Sequence, residues 1–212
     1  MAARRIVSFD IDGTLTLGHG WFYISSALGR LDDYANTTAE FRAGVIGEDK
    51  HLSNLLNIAA GSTTDEIVKI LETIPLIRNI AKGIALLKGE GMRTYLLTHN
   101  PGYVCAWYRD AFGLDGFRCA RQAVRKGRIC RAPNVHADKI GWLGDICRTE
   151  GVAPANVVHV GDSDSDAMVF RHAGMGIAVN ARSRSAREAA TLAINTADMM
   201  DIALAVASGS KR

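Results

Sequence analysis

No pair among the four cysteines, Cys105, Cys119, Cys130 and Cys147, forms a C-x-x-C, and no His-x-x-x-His accompanies them. A structural zinc site takes its ligands at short fixed spacings, so none is expected. The cysteines read as free thiols in a reducing setting. No apolar run approaches the roughly 20 residues of a membrane-spanning helix. The opening Met-Ala-Ala-Arg-Arg carries charge too soon to read as a signal peptide. A cytoplasmic protein without membrane contact is the expectation. Charge of one sign is also scarce. The net charge of the 212 residues is +3, too little by itself to argue for nucleic acid. Internal repeats, low-complexity tracts and long linkers are missing as well. With 48% hydrophobic and 22% charged residues, the chain has the balance of an ordinary globular protein able to bury a full core.

What the chain does have is alternation. Short apolar runs at 6–9, 94–97, 157–160, 176–179 and 192–194 read as strands covered on both faces, as in parallel sheets. Between them lie helical stripes. Ile77, Ile80, Ile84 and Leu87 form one, ended by Gly89 and Gly91; Val104, Trp107, Tyr108 and Phe112 form another; Ile140, Leu143, Ile146 and Cys147 form a third. The alternation predicts a parallel α/β sheet with right-handed crossovers. From about 20 to 73 no strand is convincing, and residues 21–28, 34–45, 50–59 and 64–71 all read as helices. These form an insertion after the first strand. Residues 123–130 suggest a hairpin turning at Lys126-Gly127. The basic residues Arg118, Arg121, Arg125, Lys126, Arg128 and Arg131 around it read as a solvated face, since a nucleic-acid surface would interleave exposed aromatics.

Four segments can carry chemistry, each at the C-terminal end of an expected strand or on a helix nearby, where ligands bind in open α/β sheets. The first is Phe9-Asp10-Ile11-Asp12-Gly13-Thr14-Leu15-Thr16. One carboxylate can attack phosphorus while the other gives and takes a proton. The turn at Gly13 is expected to let Asp12 approach the same centre as Asp10. Like charges this close repel, so a cation is the expected companion. A pair of turn or helix-capping aspartates is the alternative. The second is Leu96-Leu97-Thr98-His99-Asn100. A hydroxyl and the N–H groups at the start of the helix near Pro101 can seat a phosphate, or Thr98 or Asn100 simply caps that helix. The third is Lys139, which opposes the dipole at a helix start unless an anion balances it; an exposed surface lysine is the alternative. The fourth is Gly161-Asp162-Ser163-Asp164-Ser165-Asp166. Three aspartates this dense are costly without a metal or strong donors. A capping cluster is the alternative. An EF-hand loop is excluded, because its Gly and distant Glu are missing.

Taken in order, the four segments resemble the haloacid dehalogenase (HAD) superfamily. With a helical insertion between the first and second, the layout resembles its phosphoserine-phosphatase-like branch. The resemblance runs from Ile6 to about Leu204 and takes in Gly174-Met175-Gly176-Ile177-Ala178-Val179-Asn180. It implies an α/β fold: a Rossmann-like parallel sheet with helices on both faces, in residues 1–17 and 76–212, plus a small helical cap in residues 18–75. It implies a Mg²⁺-dependent phosphatase that hydrolyses a small phosphorylated metabolite through an aspartyl-phosphate. The alternatives are a phosphoserine phosphatase proper, or a phosphotransferase using the same chemistry.

The resemblance also assigns roles. Asp10 would be the nucleophile, and Asp12 would protonate the leaving oxygen and then activate water. Thr98 would hold a phosphoryl oxygen, and Lys139 would neutralise charge on it and on Asp10. Asp162 would bind Mg²⁺ with Asp10 and the Asp12 backbone carbonyl, and Asp166 would sit behind them to orient waters or Lys139. Asp164 matches no family role and is expected to lie at the surface or cap a helix.

The substrate-reading places depart from the branch. His19 stands where phosphoserine phosphatases carry a glutamate, Ser53 where they carry a cap arginine, and Thr98-His99-Asn100 where they have a serine and glycines. Gly13, His99 and Asn100, with His19, Trp21 and Phe22 from the cap entrance, are therefore expected to line the substrate. That lining offers aromatic faces and neutral donors rather than a Glu and Arg pair. O-phosphoserine is expected to be a poor substrate, and a sugar phosphate, amino-alcohol phosphate or other neutral-bodied ester a better one.

Overall fold

A computed structural model describes residues 5–209. The chain begins with β1 (Arg5–Phe9) and continues through four helices, α1 (Gly20–Ala27), α2 (Leu31–Arg42), α3 (Glu48–Ile58) and α4 (Thr64–Leu71). Then come α5 (Ile80–Gly89), β2 (Met92–Pro101), α6 (Gly102–Phe112) and β3 (Gly116–Ala120). The hairpin β4 (Val124–Arg125) and β5 (Arg128–Ile129) precedes α7 (Lys139–Glu150) and β6 (Val157–Gly161). The chain closes with α8 (Asp164–Phe170), β7 (Met175–Val179), α9 (Arg184–Ala189), β8 (Leu192–Ile194) and α10 (Met199–Gly209). No described helix is long and apolar enough to cross a membrane. All four cysteines are free thiols.

Six strands form one parallel sheet in the order β3-β2-β1-β6-β7-β8. Ile6, Val7, Phe9, Leu96, Leu97, Val158 and Val160 are buried, as strands covered on both faces require. Side chains of this kind contribute about 1.5–3 kcal/mol each when fully buried. The register matters most for function. Phe9 pairs with Leu96 on one side and Val160 on the other. The residues that follow β1 and β6, and the end of β2, therefore lie side by side at the C-terminal edge of the sheet.

The insertion is helical, as expected. Its apolar residues, among them Trp21, Ile24, Leu52, Leu55, Leu56, Ile67 and Leu71, join the same hydrophobic cluster as Phe9 and Leu96. Where the chain leaves and re-enters the sheet, the two connections run antiparallel. Leu17 N–H donates to Pro75 O at 2.8 Å and Ile77 N–H to Leu15 O at 3.0 Å. Lys126 and Gly127 turn the β4–β5 hairpin with φ of 49° and 74°, the left-handed backbone such a turn needs.

β3 and α10 lie outside the elements expected from the sequence. β3 is an edge strand, half-buried and carrying Arg118, so it lacks an apolar run. In α10 the buried Met199, Ile202, Ala203 and Val206 recur at i, i+3, i+4 and i+7, a helical signal that is present in the sequence.

Candidate active site

Three neighbouring strands deliver the floor of the site. Asp10 follows β1, Thr98 lies near the end of β2, and Asp162 follows β6. Asp10 N–H donates to Val160 O at 2.9 Å, which holds its backbone in line with the sheet. Its side chain is buried, and the nearby Thr98 hydroxyl favours its charged form. Lys139, the first residue of α7, is 4% exposed. Its Nζ lies 3.1 Å from Asp10 Oδ2 and 2.6 Å from Asp166 Oδ1. A cation at a helix start is thus balanced by two buried carboxylates, and the exposed-lysine alternative falls. Burial would lower the Lys139 pKa, but Asp10 and Asp166 outweigh it and hold the ammonium charged.

Asp166 is saturated with donors. Oδ1 accepts from Lys139 Nζ and from His159 Nε2 at 2.9 Å. Oδ2 accepts from Asp162 N–H at 3.1 Å, Ser163 N–H at 3.0 Å and Ser163 Oγ at 2.7 Å. Against this burial, Lys139 and His159 keep its pKa well below the ordinary carboxylate range. Five donors fill the lone pairs of a carboxylate.

Asp12 is tied elsewhere. Its Oδ1 accepts Gly20 N–H at 2.6 Å, at the start of α1, and its Oδ2 accepts Asn100 Nδ2 at 3.0 Å. The carboxylate thus bridges the first inserted helix and the end of β2.

The metal-ligating capacity can be judged from these contacts. Carboxylate oxygens of Asp10, Asp162 and Asp166 lie within 4.8 Å of one another. Asp166 has no lone pair to spare, which leaves the Asp10 and Asp162 carboxylates. Burial first, then Asp10 and Asp166, push the Asp162 pKa up to about 8. Burial, with Asp166 and Asp12, also raises Asp10, against the pull of Lys139. Two carboxylates whose ionisation is opposed by burial and by each other suit a hard divalent cation. Gly13 makes room for this: its φ is 74°, and a Cβ there would sit 2.3 Å from Asp162 Oδ2.

Above the floor opens a cavity of about 530 Å³. Asp10, Asp12, Gly13, Thr98, His99, Asn100 and Asp162 all line it, with His19 and Trp21 from the insertion. Phe22 does not, and that expectation is corrected. It is 44% exposed and packs edge-on against Tyr23 and Tyr34, because one step along α1 from Trp21 turns it away. Ser53 also lies outside the cavity; its buried Oγ accepts Val135 N–H at 3.0 Å. Asp164 is exposed, as expected, and accepts from the hydroxyls of Ser183 and Ser185 at the cavity rim.

The wall holds residues that motif spacing does not reveal. Arg42 at the end of α2, Glu48 and His51 on α3, and Arg182 before α9 all line the cavity. The expectation of a wall without a Glu and an Arg is therefore corrected: both are present, at places other than the family's. The signal available in the sequence was Glu48 in the first turn of a helix and Arg42 in the last turn of another, both ordinary helix-end charges. His99 Nδ1 lies 3.8 Å from Glu48 Oε1, across the cavity. Burial and Lys139 push the His99 pKa down to about 3, so its ring is neutral near pH 7 and the contact is not an ion pair. Burial also pushes Glu48 up. His51, lowered by burial, stacks on Phe41 with ring centroids 4.6 Å apart.

A family model described as hydrolase, haloacid dehalogenase-like hydrolase, matches residues 5–174, most of the chain. The chain belongs to the haloacid dehalogenase-like hydrolases. Curated relatives in this family include a phosphoserine phosphatase of Archaeoglobus fulgidus, 27% identical over 187 residues, covering 84% of this chain and 53% of the relative. Another, from Albidiferax ferrireducens, is 26% identical over 202 residues, covering 91% and 85%. The chain spans about half the length of the first curated relatives it matches. Among solved structures, a HAD family hydrolase from Salmonella enterica serovar Typhi superposes with a TM-score of 0.82 at 20% identity, covering 91% of this chain and 67% of the other. A substrate-bound phosphoserine phosphatase complex gives 0.79 at 21% identity, covering 95% and 98%. These superpositions show that the HAD-like fold is shared.

Proposed function

We propose that this chain is a Mg²⁺-dependent phosphomonoesterase that forms a phospho-aspartate on Asp10. The observation that carries the reading is the buried Lys139, held 3.1 Å from the Oδ2 of Asp10, which itself lines an open cavity. A buried ammonium beside a nucleophile is placed to receive the negative charge of a phosphoryl group.

The Asp10 carboxylate attacks phosphorus, and the bond from phosphorus to the ester oxygen breaks. Asp12, as the acid, gives its proton to the departing alcohol. As the carboxylate, it then takes a proton from water, whose oxygen attacks phosphorus and breaks the Asp10–phosphorus bond, releasing inorganic phosphate. Thr98 and Lys139 hold phosphoryl oxygens through both steps. Asp10, Asp162 and the Asp12 backbone carbonyl would hold the Mg²⁺, whose charge allows an anionic nucleophile to meet an anionic ester. Asp166 keeps Lys139 in place.

Residues 18–75 act as the cap in this reading, joined to the core by the paired connections at Leu15–Leu17 and Pro75–Ile77. A helical lid over the site favours a small metabolite over a polymer and limits stray water during the first step. A cytoplasmic setting fits such a substrate.

Arg42 and Glu48 favour a second reading of the substrate. One charge of each sign on the wall is what a zwitterionic leaving group needs, and relatives of this chain carry the name phosphoserine phosphatase. A side-by-side kcat/KM comparison of O-phosphoserine with sugar and amino-alcohol phosphates, with Mg²⁺ and with chelator, tests both. Mg²⁺-dependent hydrolysis led by the neutral-bodied esters supports the expectation from His19 and Ser53. A tenfold or greater lead for phosphoserine supports the Arg42 and Glu48 reading. Full activity in excess chelator rules out the proposed chemistry.

A further inference from the structure

His159 is fully buried on β6, 0% exposed, with its ring centroid 5.6 Å from that of Phe170. Val157, two residues earlier and on the same face of the strand, belongs to an apolar cluster with Ile6, Leu97, Leu143 and Val169. Ser8 on β1 is equally buried, and the sheet register sets it opposite His159. A polar pair in such a place costs desolvation energy that two apolar side chains of the same size would avoid. Stability alone does not explain it.

Both ring nitrogens are occupied. Nε2 lies 2.9 Å from Asp166 Oδ1, and Nδ1 lies 2.9 Å from Ser8 Oγ. Asp166 accepts from the Lys139 ammonium, from two backbone N–H groups and from the Ser163 hydroxyl, so it meets the ring as an acceptor and Nε2 carries the proton. Ser8 Oγ lies between the ring and Val158 O, to which it donates at 3.5 Å. The ring nitrogen that faces Asp166 donates to it. The result is one buried chain: Ser8, His159, Asp166, Lys139, Asp10.

We propose that His159 is a positioning residue for the phosphoryl transfer, one that sets how Asp166 shares Lys139 with Asp10. The proposal rests on the phosphatase reading above. Asp166 Oδ2 is taken by Asp162 N–H, Ser163 N–H and Ser163 Oγ, so Oδ1 alone addresses Lys139. Lys139 Nζ is closer to Asp166 than to Asp10, 2.6 Å against 3.1 Å. A second donor on Oδ1 draws charge from that oxygen and weakens its hold on the ammonium. Without His159, Asp166 draws Lys139 away from Asp10 and from the phosphoryl oxygens. His159 touches neither substrate nor the reacting atoms; it acts through Asp166.

The test uses the full chain with p-nitrophenyl phosphate and Mg²⁺. His159→Phe fills the space without a donor, and His159→Gln keeps an amide N–H within reach of Asp166. Ser8→Ala, a smaller change, removes the hydroxyl that fixes the ring. His159→Phe is expected to lower kcat about 10- to 100-fold, with KM and the Mg²⁺ half-saturation concentration changed by less than about twofold. His159→Gln should restore most of the loss, and Ser8→Ala should fall between. If His159→Phe does not fold, a lowered kcat in Ser8→Ala beside a near-wild-type kcat in His159→Gln supports the proposal, and a wild-type kcat in Ser8→Ala overturns it. Wild-type kcat in His159→Phe overturns it, as does equal loss in the Gln and Phe variants. Wild-type protein without Mg²⁺-dependent turnover overturns the phosphatase reading, and this proposal falls with it.

Discussion

At the floor of the cavity, Asp10, Thr98, Lys139 and Asp162 come from four separate segments, yet each sits at a strand end or a helix start. Asp10, Thr98 and Lys139 are buried, and the Lys139 ammonium is paired with both Asp10 and Asp166. At the wall, His19, Arg42, Glu48 and His51 come from helices of the insertion, partly exposed and with few contacts of their own. The floor is built by strand register, which links neighbouring strands residue by residue. The wall is built by how four helices happen to pack. Side chains of the first kind are held by strand register and burial, whereas those of the second kind lie largely open to solvent.

The sharpest break of this comparison is Asp10→Asn. The amide is nearly the same shape but a poor nucleophile, so turnover should fall by several orders of magnitude while the thermal midpoint changes little. A variant that keeps a tenth of wild-type turnover shows that Asp10 is not the nucleophile.

Gly13→Ala tests the floor's geometry. A Cβ would press 2.3 Å from Asp162 Oδ2, on a backbone with φ of 74°. Strained backbone of this kind costs about 1–3 kcal/mol. The variant should also need about tenfold more Mg²⁺ for half-maximal activity, as misplaced ligands typically do. An unchanged Mg²⁺ titration would show that Asp162 does not bind the cation.

Asp162 also makes stability depend on pH. Its folded pKa is raised from 3.8 to about 8, so the folded chain keeps a proton that the unfolded chain has lost within that window. Stability without divalent cations should therefore fall as pH rises from about 4 to about 8. Mg²⁺ should recover it at the upper end. Melting curves across this range, with and without Mg²⁺, give the check. A Tm that rises with pH in chelator, with other groups accounted for by Asp162→Asn, contradicts the assignment.

The smallest effect is expected at the wall. Arg42→Ala should lower kcat/KM for O-phosphoserine by about tenfold if Arg42 meets its carboxylate, since a hydrogen bond to a charged group is worth about 1.5–3 kcal/mol. A neutral-bodied ester should change by less than about twofold. Equal effects on both esters would mean that Arg42 does not read the leaving group.

Most of the fold and nearly all of the floor are legible in the sequence. Continuous apolar runs mark buried parallel strands, and aspartates, a threonine and a glycine at their ends mark the ligand-binding edge. α4 (Thr64–Leu71) and β8 (Leu192–Ile194) begin and end where their patterns do. Legibility stops where position depends on tertiary packing. Trp21 and Phe22 are adjacent, and only the orientation of α1 decides that one faces the cavity and the other Tyr34. Arg42 and Glu48 look like ordinary helix-end charges until α2 and α3 are packed. His159 reads as one residue of an apolar strand, and its role shows only once Ser8 and Asp166 close around it.

The most direct test of the central claim is to trap the intermediate. Wild-type protein turning over a phosphomonoester with Mg²⁺ is quenched in acid, and the peptide containing Asp10 is weighed by mass spectrometry before and after borohydride reduction. The expected result is one added phosphoryl group on that peptide, converted by reduction to homoserine at position 10, and absent from Asp10→Asn. Steady turnover with no phosphoryl group on Asp10 at any quench time, or with the label on another residue, contradicts a phospho-aspartate mechanism at this site.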